Sequence, residues 1–209
     1  MESKCGPFRN NLINPFAYWV VPGKVAAGEY PGEQFLWNPK VFLATLIHSF
    51  RALWSSRFKF WNSSDTKIDS LLSNGINVFV DLTEEGERPS YLAKLHKNRR
   101  RRSISTKYFR FPIRDRSVPD PKFIDEIIRI IRLEICQGNV VYIHCFRGLG
   151  RTGILVGCYL KEIKNFELDN DMNIVDYLKM FRSGVAGDFR NSPETEEQVQ
   201  FMIDWKPNL

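Results

Sequence analysis

The sequence predicts an α/β fold, a mostly parallel central sheet flanked by helices. Three observations carry the prediction. Short apolar runs with strand character, at 78–82, 107–113 and 140–143, are separated by stretches with helical periodicity. Each run leads into a polar loop: one leaves the Asp81 strand end, and the other two carry Asp115 and Cys145. The last loop is glycine-rich and leads directly into a helix-compatible segment. In open sheets of this kind ligands bind beyond the carboxyl ends of the strands, so the three loops are expected to meet on one face.

The elements follow in order. Tyr18-Trp19-Val20-Val21 and Lys24-Val25-Ala26-Ala27 flank Pro22-Gly23 and read as two short strands joined by a turn, with a second turn at Tyr30-Pro31-Gly32. Asn38 and Pro39 have the character of an N-cap and first helical position, which predicts a helix over 41–54 and a helical insertion around 38–62. The aromatic and basic stretch 50–61 is expected to pack over a core edge rather than lie on a membrane. Residues 65–73 read as a helix closed by Asn74-Gly75. Strand 78–82 leads into the acidic loop Thr83-Glu84-Glu85-Gly86-Glu87, and a short helix is expected around 89–95.

The basic run that follows, Lys97-Asn98-Arg99-Arg100-Arg101-Arg102, reads first as a solvated loop. Residues 107–113 alternate like a strand. Over 121–136 the apolar residues Phe123, Ile124, Ile127, Ile128, Ile131 and Leu133 mark an amphipathic helix, stopped by Gln137-Gly138-Asn139. Strand 140–143 delivers the glycine loop. Helices are expected over 152–163, 172–181 and 193–205, the last starting at Ser192-Pro193. The 209 residues, 43% of them hydrophobic, suit one domain with an ample core.

The formal net charge of +6 suggests an anionic partner: nucleic acid, a phosphoinositide or an acidic phosphopeptide. The basic run has no interleaved aromatics, which argues against a surface that stacks single-stranded bases. The four cysteines lack zinc-type spacing, and no cleavable leader is recognised. Both points fit a reduced, cytoplasmic setting. No apolar run approaches the roughly 20 residues of a spanning helix.

Residues 144–153 read HCFRGLGRTG. Glycines at 148 and 150 let successive N–H groups of Phe146, Arg147, Gly148, Leu149 and Gly150 curl around one oxyanion. The following helix start adds unpaired N–H groups and the positive end of a dipole. Arg151 can grip two oxygens with its planar fork. This positive field favours a thiolate at Cys145, placed for in-line attack on a bound phosphoryl group. Thr152 can donate a hydrogen bond to that thiolate, and His144 can brace the loop through its backbone. The Lys-Ser/Thr ending of a nucleotide-binding P-loop is missing.

These residues resemble the phosphate-binding loop of the cysteine-dependent protein tyrosine phosphatase superfamily, on its dual-specificity side. FPIRDRSVPD, at 111–120, is similar to that family's mobile general-acid loop, with Asp115 at the acid position. SPETEEQVQF, at 192–201, resembles its late glutamine-bearing segment. GEYPG and VDLTEEGE look like small microbial members. The resemblance implies a protein tyrosine phosphatase-like fold and a two-step reaction without metal or cofactor. Cys145 attacks phosphorus, Arg151 and the loop hold the oxygens, and Asp115 protonates the leaving group and then activates water.

Asp120 is the rival acid, but before Pro121 it suits an N-cap better. Glu194 falls where the tyrosine-specific branch often has a Gln, and Gln198 lies one turn later. Either Gln198 orients the water or Asp115 does so unaided, and on sequence alone both Glu194 and Gln198 also read as ordinary residues of an exposed helix. Arg147, inside the loop, either meets a second anionic group on the substrate or faces solvent. One of Glu84, Glu85 and Glu87 can brace Arg151, though surface caps suit most of them. Cys158 reads as core.

The function expected is that of a metal-independent phosphomonoesterase acting on phosphotyrosine, with phosphoserine and phosphothreonine as further substrates, in a phosphorylated protein partner. The alternatives are a phosphoinositide or RNA 5′-phosphatase and a catalytically inactive phosphate-binding module. Asp115 precedes Cys145 in the chain, the order of the dual-specificity branch rather than of the small phosphatases with an N-terminal cysteine.

Overall fold

A computed structural model describes residues 11–33, 63–163 and 173–207. The helix expected over 41–54 and the insertion around 38–62 lie outside them. The described elements run β1 Leu12–Asn14, β2 Ala17–Val21, β3 Val25–Gly28, α1 Ser64–Ser73, β4 Val78–Asp81, α2 Leu92–Arg102, β5 Lys107–Arg110, α3 Pro121–Cys136, β6 Val141–His144, α4 Gly150–Glu162, α5 Ile174–Phe181 and α6 Glu196–Asp204.

The strands form one sheet in the order β1-β2-β3-β6-β4-β5. β3, β6, β4 and β5 pair in parallel, and β1 and β2 add an antiparallel edge. β1, three residues long, is too short to leave a periodic signal. Every residue of β3, β4 and β6 is buried, as parallel strands covered on both faces must be. Their side chains alternate between two cores. Val78, Val80, Val141 and Ile143 face α3 to α6, whereas Phe79 and Tyr142 face α1 and α2 through Ile68, Leu71, Leu72 and Leu95. α4 has hardly a solvent face: from Gly150 through Leu160 every residue is buried. α3, α5 and α6 pack around it. None of the described helices is long and apolar enough to cross a membrane.

Two expectations are corrected. The basic run at 97–102 is helical, the C-terminal part of α2, rather than a loop. Leu95 and Asn98 are buried on one face. Asn98 donates to Asp65 (3.2 Å), and Arg102 grips Asp69 with two bonds of 2.9 Å. Arginines in the last turn also suit the negative end of the helix dipole, which offsets their mutual repulsion. Likewise α6 starts at Glu196, not at Pro193. Thr195 and Gln198 form a reciprocal capping box there, and Ser192-Pro193 is a cis peptide ahead of it.

The parallel strands end in register. Gly28, His144, Asp81 and Arg110 form one row across the carboxyl edge of the sheet. The loops that follow β4, β5 and β6 therefore leave from the same edge, as the strand order requires.

Candidate active site

Cys145 is the first residue beyond β6 and is 3% exposed. The chain then doubles back through Gly148, whose φ of +67° lies in the left-handed region. A Cβ there would stand 2.4 Å from the carbonyl carbon and oxygen of Gly28, so the loop packs directly on the end of β3. Three ties hold its carbonyls outward. The Cys145 carbonyl meets His144 Nδ1 at 3.3 Å, the Phe146 carbonyl accepts from the Tyr30 N–H at 3.0 Å, and the Leu149 carbonyl accepts from Ser192 Oγ at 2.9 Å. A peptide whose carbonyl is pulled outward turns its N–H toward the concave side. Among the described residues no side chain caps the N-terminus of α4, whose first N–H groups remain open to an anion. Phe146, Arg147, Gly148, Leu149 and Gly150, the cradle expected from the sequence, form this loop and the first position of α4.

Arg151 is 1% exposed. Glu87 accepts two bonds from it, at 2.7 Å from Nη1 and 2.8 Å from Nη2. Nη1 also reaches the carbonyl oxygens of Ile113 (3.1 Å) and Leu82 (3.5 Å). Burial opposes the charge on Arg151, but the Glu87 hydrogen bonds and the negative charges of Glu87 and Asp115 raise its pKa. Burial also works against the Glu87 carboxylate, yet Arg151 and the Glu84 N–H hold it below the usual carboxylate range. Glu87 is therefore the brace among the three glutamates, while Glu84 and Glu85 are exposed. Arg151 Nε and Thr152 Oγ1 are buried without a partner among the described residues, so both remain available to an oxyanion or thiolate.

Beneath the loop lies a network that the sequence did not announce. His144 is fully buried, and burial lowers its pKa, so the ring is neutral. A carbonyl can only accept, which places the proton on Nδ1 and leaves Nε2 to accept from Tyr91 Oη at 2.8 Å. Asp81, also fully buried, accepts from the Thr83 N–H (2.9 Å), Thr83 Oγ1 (2.7 Å) and Tyr108 Oη (2.7 Å). Burial disfavours its charge, but the Thr83 bonds and the Tyr108 bond lower its pKa. Tyr91 carries no motif, and only the fold brings it and Ser192 to the loop.

The candidate acid loop is tied to the end of β4: Phe111 N–H donates to the Asp81 carbonyl (2.9 Å) and Ile113 N–H to that of Leu82 (3.1 Å). This brings Asp115 Oδ1 to 2.9 Å from Arg151 Nη2, with the Asp115 side chain still 58% exposed. A carboxyl so placed touches the cradle and can also reach a leaving group outside it. Asp120 caps α3 through the Lys122 N–H (2.8 Å) and has the structural role expected of it.

Gln198 is not an exposed helix residue: it is fully buried. Its Oε1 accepts from the N–H groups of Glu194 (3.1 Å) and Thr195 (3.3 Å), and its Nε2 donates to the Ser117 carbonyl of the candidate acid loop (3.1 Å). A Cβ at Gly150 would lie 2.8 Å from Gln198 Oε1 and 3.1 Å from Glu194 Oε2, so both side chains face the cradle. Cys158 is buried within α4 as expected, and burial raises its pKa. Among the described residues no group of three or more His, Cys, Asp or Glu side chains is arranged to hold a metal ion.

A cradle of this kind, running from a cysteine at a strand end to an arginine in the next helix, defines a cysteine-dependent phosphatase of the protein tyrosine phosphatase superfamily, on its dual-specificity side. The comparisons with known proteins narrow this. The model of the family described as Tc-R-P, "Polymorphic toxin system, DSP-PTPase phosphatase", matches residues 56–164, just over half of the chain, and the chain belongs to that family.

The chain is 25% identical over 137 residues to the tyrosine-protein phosphatase CDC14 homolog of Schizosaccharomyces pombe. The match takes in 60% of this chain but 23% of that protein's length. Solved structures agree on the fold. Tk-PTP in its active form has a TM-score of 0.58 at 20% identity, covering 93% of this chain and 99% of that one. P. aeruginosa TpbA in complex with pTyr has a TM-score of 0.58 at 12% identity, covering 96% and 91%. PTPMT1 in complex with PI(5)P has a TM-score of 0.54 at 13% identity, covering 91% and 94%.

Proposed function

We propose that the chain hydrolyses phosphotyrosine in proteins, with phosphoserine and phosphothreonine as further substrates, through a cysteinyl-phosphate intermediate. The observation that carries the chemistry is Arg151: a buried guanidinium, braced by Glu87, with Nε still unspent at the rim of a loop whose N–H groups turn inward. One phosphoryl group fits such a cradle, and its three oxygens are held as charge develops in the transition state. The Cys145 thiolate attacks phosphorus, and the bond to the leaving oxygen breaks. Asp115 gives that oxygen its proton. Once ionised, Asp115 takes a proton from the water that attacks the thiophosphate, which returns inorganic phosphate and the free thiolate. Thr152 Oγ1 stabilises the thiolate as it departs.

The preference for phosphotyrosine rests on the sequence relative, which is named a tyrosine-protein phosphatase. The fold itself is shared by proteins solved with pTyr and with PI(5)P, and so supports either chemistry. The test is a panel of phosphopeptides, phosphoinositides and RNA 5′-triphosphate beside p-nitrophenyl phosphate. Turnover of phosphotyrosine peptides, abolished in Cys145→Ser and lost in Asp115→Asn with phosphate affinity kept, is expected. Inactivity on peptides beside rapid lipid or RNA turnover refutes the substrate reading. Loss of turnover in Asp120→Asn alone refutes the choice of acid.

A further inference from the structure

Two arginines at the mouth of the cradle are not used by the chemistry above. Arg88 follows the brace Glu87, and Arg147 lies two residues beyond Cys145. Both stack on the ring of Phe146: the Arg88 guanidinium carbon stands 3.9 Å from its centroid and that of Arg147 5.5 Å. The ring face attracts each cation, and this fixes two long side chains that would otherwise wander. Neither forms an ion pair among the described residues.

Their negative neighbours are committed elsewhere. Glu87 is spent on Arg151, and the charge of Glu85 acts on Arg110. Arg88 Nε is buried with no hydrogen-bond partner among the described residues, and Arg147 is exposed. Burial lowers the Arg88 pKa, Tyr30 and Glu87 work the other way, and repulsion from Arg147 adds to the lowering. Two like charges are thus held beside one ring with Arg88 Nε unpartnered among the described residues, and an anion between them would relieve the repulsion and satisfy Nε. The site stands beside the cradle, so it is open to a second group of a substrate whose phosphate is already seated.

We propose that Arg88 and Arg147, fixed on Phe146, form a second anion-binding site that selects phosphotyrosines flanked by carboxylate side chains. The inference rests on the phosphotyrosine reading and names its substrate class, an acidic phosphopeptide.

The experiment uses the full chain and two phosphotyrosine peptides of equal length. One has Asp and Glu on both sides of the phosphotyrosine, the other Ala and Gln. The readout is the ratio of their kcat/KM values at low and high salt, for the wild type, Arg88→Gln, Arg147→Gln and the double variant. Partly exposed charge pairs support a wild-type preference of about tenfold for the acidic peptide, falling about threefold with each single variant and vanishing in the double variant. Salt should erode the wild-type preference in the same way, a measurement that needs no variant to fold. Equal turnover of the two peptides by the wild type, or a preference that survives the double variant, overturns the inference alone. No turnover of either peptide, with p-nitrophenyl phosphate still hydrolysed, overturns the phosphotyrosine reading and the inference with it.

Discussion

Glu87→Ala tests the reasoning about the site most directly, because Glu87 acts on the cradle through Arg151. In the structure Glu87 gives Arg151 two charge-assisted bonds, of 2.7 and 2.8 Å, and Arg151 is almost fully buried. Breaking a buried ion pair on one side typically costs about 3–5 kcal/mol. Two features reduce that here. The Glu87 side chain is 20% exposed, so water can enter in its place, and Arg151 keeps the Ile113 carbonyl at 3.1 Å. A loss of about 2–3 kcal/mol is expected, equivalent to a fall of roughly 5–10 °C in Tm for a chain of this size.

The activity should fall further than the stability. The carboxylate still within reach is Asp115, at 2.9 Å from Nη2. Without Glu87 the guanidinium is expected to turn toward it, withdrawing the phosphate-binding donors and the candidate acid together. The kcat/KM on p-nitrophenyl phosphate is expected to drop about 100-fold, the scale of removing one preorganised donor. Glu87→Gln, which keeps a neutral acceptor, should fall between.

The pH dependence has a definite sign. The folded-state pKa of Glu87 is lowered, so its contribution is complete above its unfolded value of 4.5 and is lost as pH falls below it. The Tm difference between wild type and Glu87→Ala should therefore shrink in acid. A Glu87→Ala protein with unchanged Tm and a kcat/KM within about twofold of wild type would refute the claim that Glu87 orients Arg151.

Gly148→Ala should abolish activity and lower Tm, because a Cβ would sit 2.4 Å from Gly28 backbone atoms at a φ of +67°; an active, stable variant would show that the loop is looser than described. Gln198→Ala removes the bond to the Ser117 carbonyl and should lower kcat on phenyl phosphate about tenfold, and less on p-nitrophenyl phosphate, whose leaving group needs less protonation. Equal losses on both would mean that Gln198 acts on the water step instead. His144 is buried neutral with a lowered pKa, so stability should decline as pH falls below the unfolded value of 6.5 toward the lower folded one. Denaturant midpoints at pH 7.5 and 5.5 should differ less in His144→Gln than in wild type, and an unaltered difference would assign the acid sensitivity to another group.

How much of this was legible in the chain depended on the range of the signal. α3 is bounded where the sequence places it, because Asp120-Pro121 starts a helix and Gln137-Gly138 stops one through contacts within a turn. The same local reading failed at α2, where a run of like charges suggested a loop. Asp65 and Asp69, distant in the chain, hold that helix instead. It failed again at Ser192-Pro193, where a local start signal lost to the Thr195 and Gln198 capping box and Ser192 was drawn to the Leu149 carbonyl.

The chain alone determined the α/β class and pointed to the residues proposed for the cradle. Strand periodicity, glycine conformation and the helix start are fixed by neighbours in sequence, and HCFRGLGRTG packs its donors and its thiol into ten consecutive residues. Only the tertiary structure decided which of three glutamates braces Arg151, that Gln198 is buried against the candidate acid loop, and that Arg88 and Arg147 share one ring. Glu87 and Arg151 are separated by 64 residues, and Gln198 and Ser117 by 81. Whether such groups meet is set by strand order and register, which bring Asp81, Arg110 and His144 into one row and so bring the loops beyond them to one site.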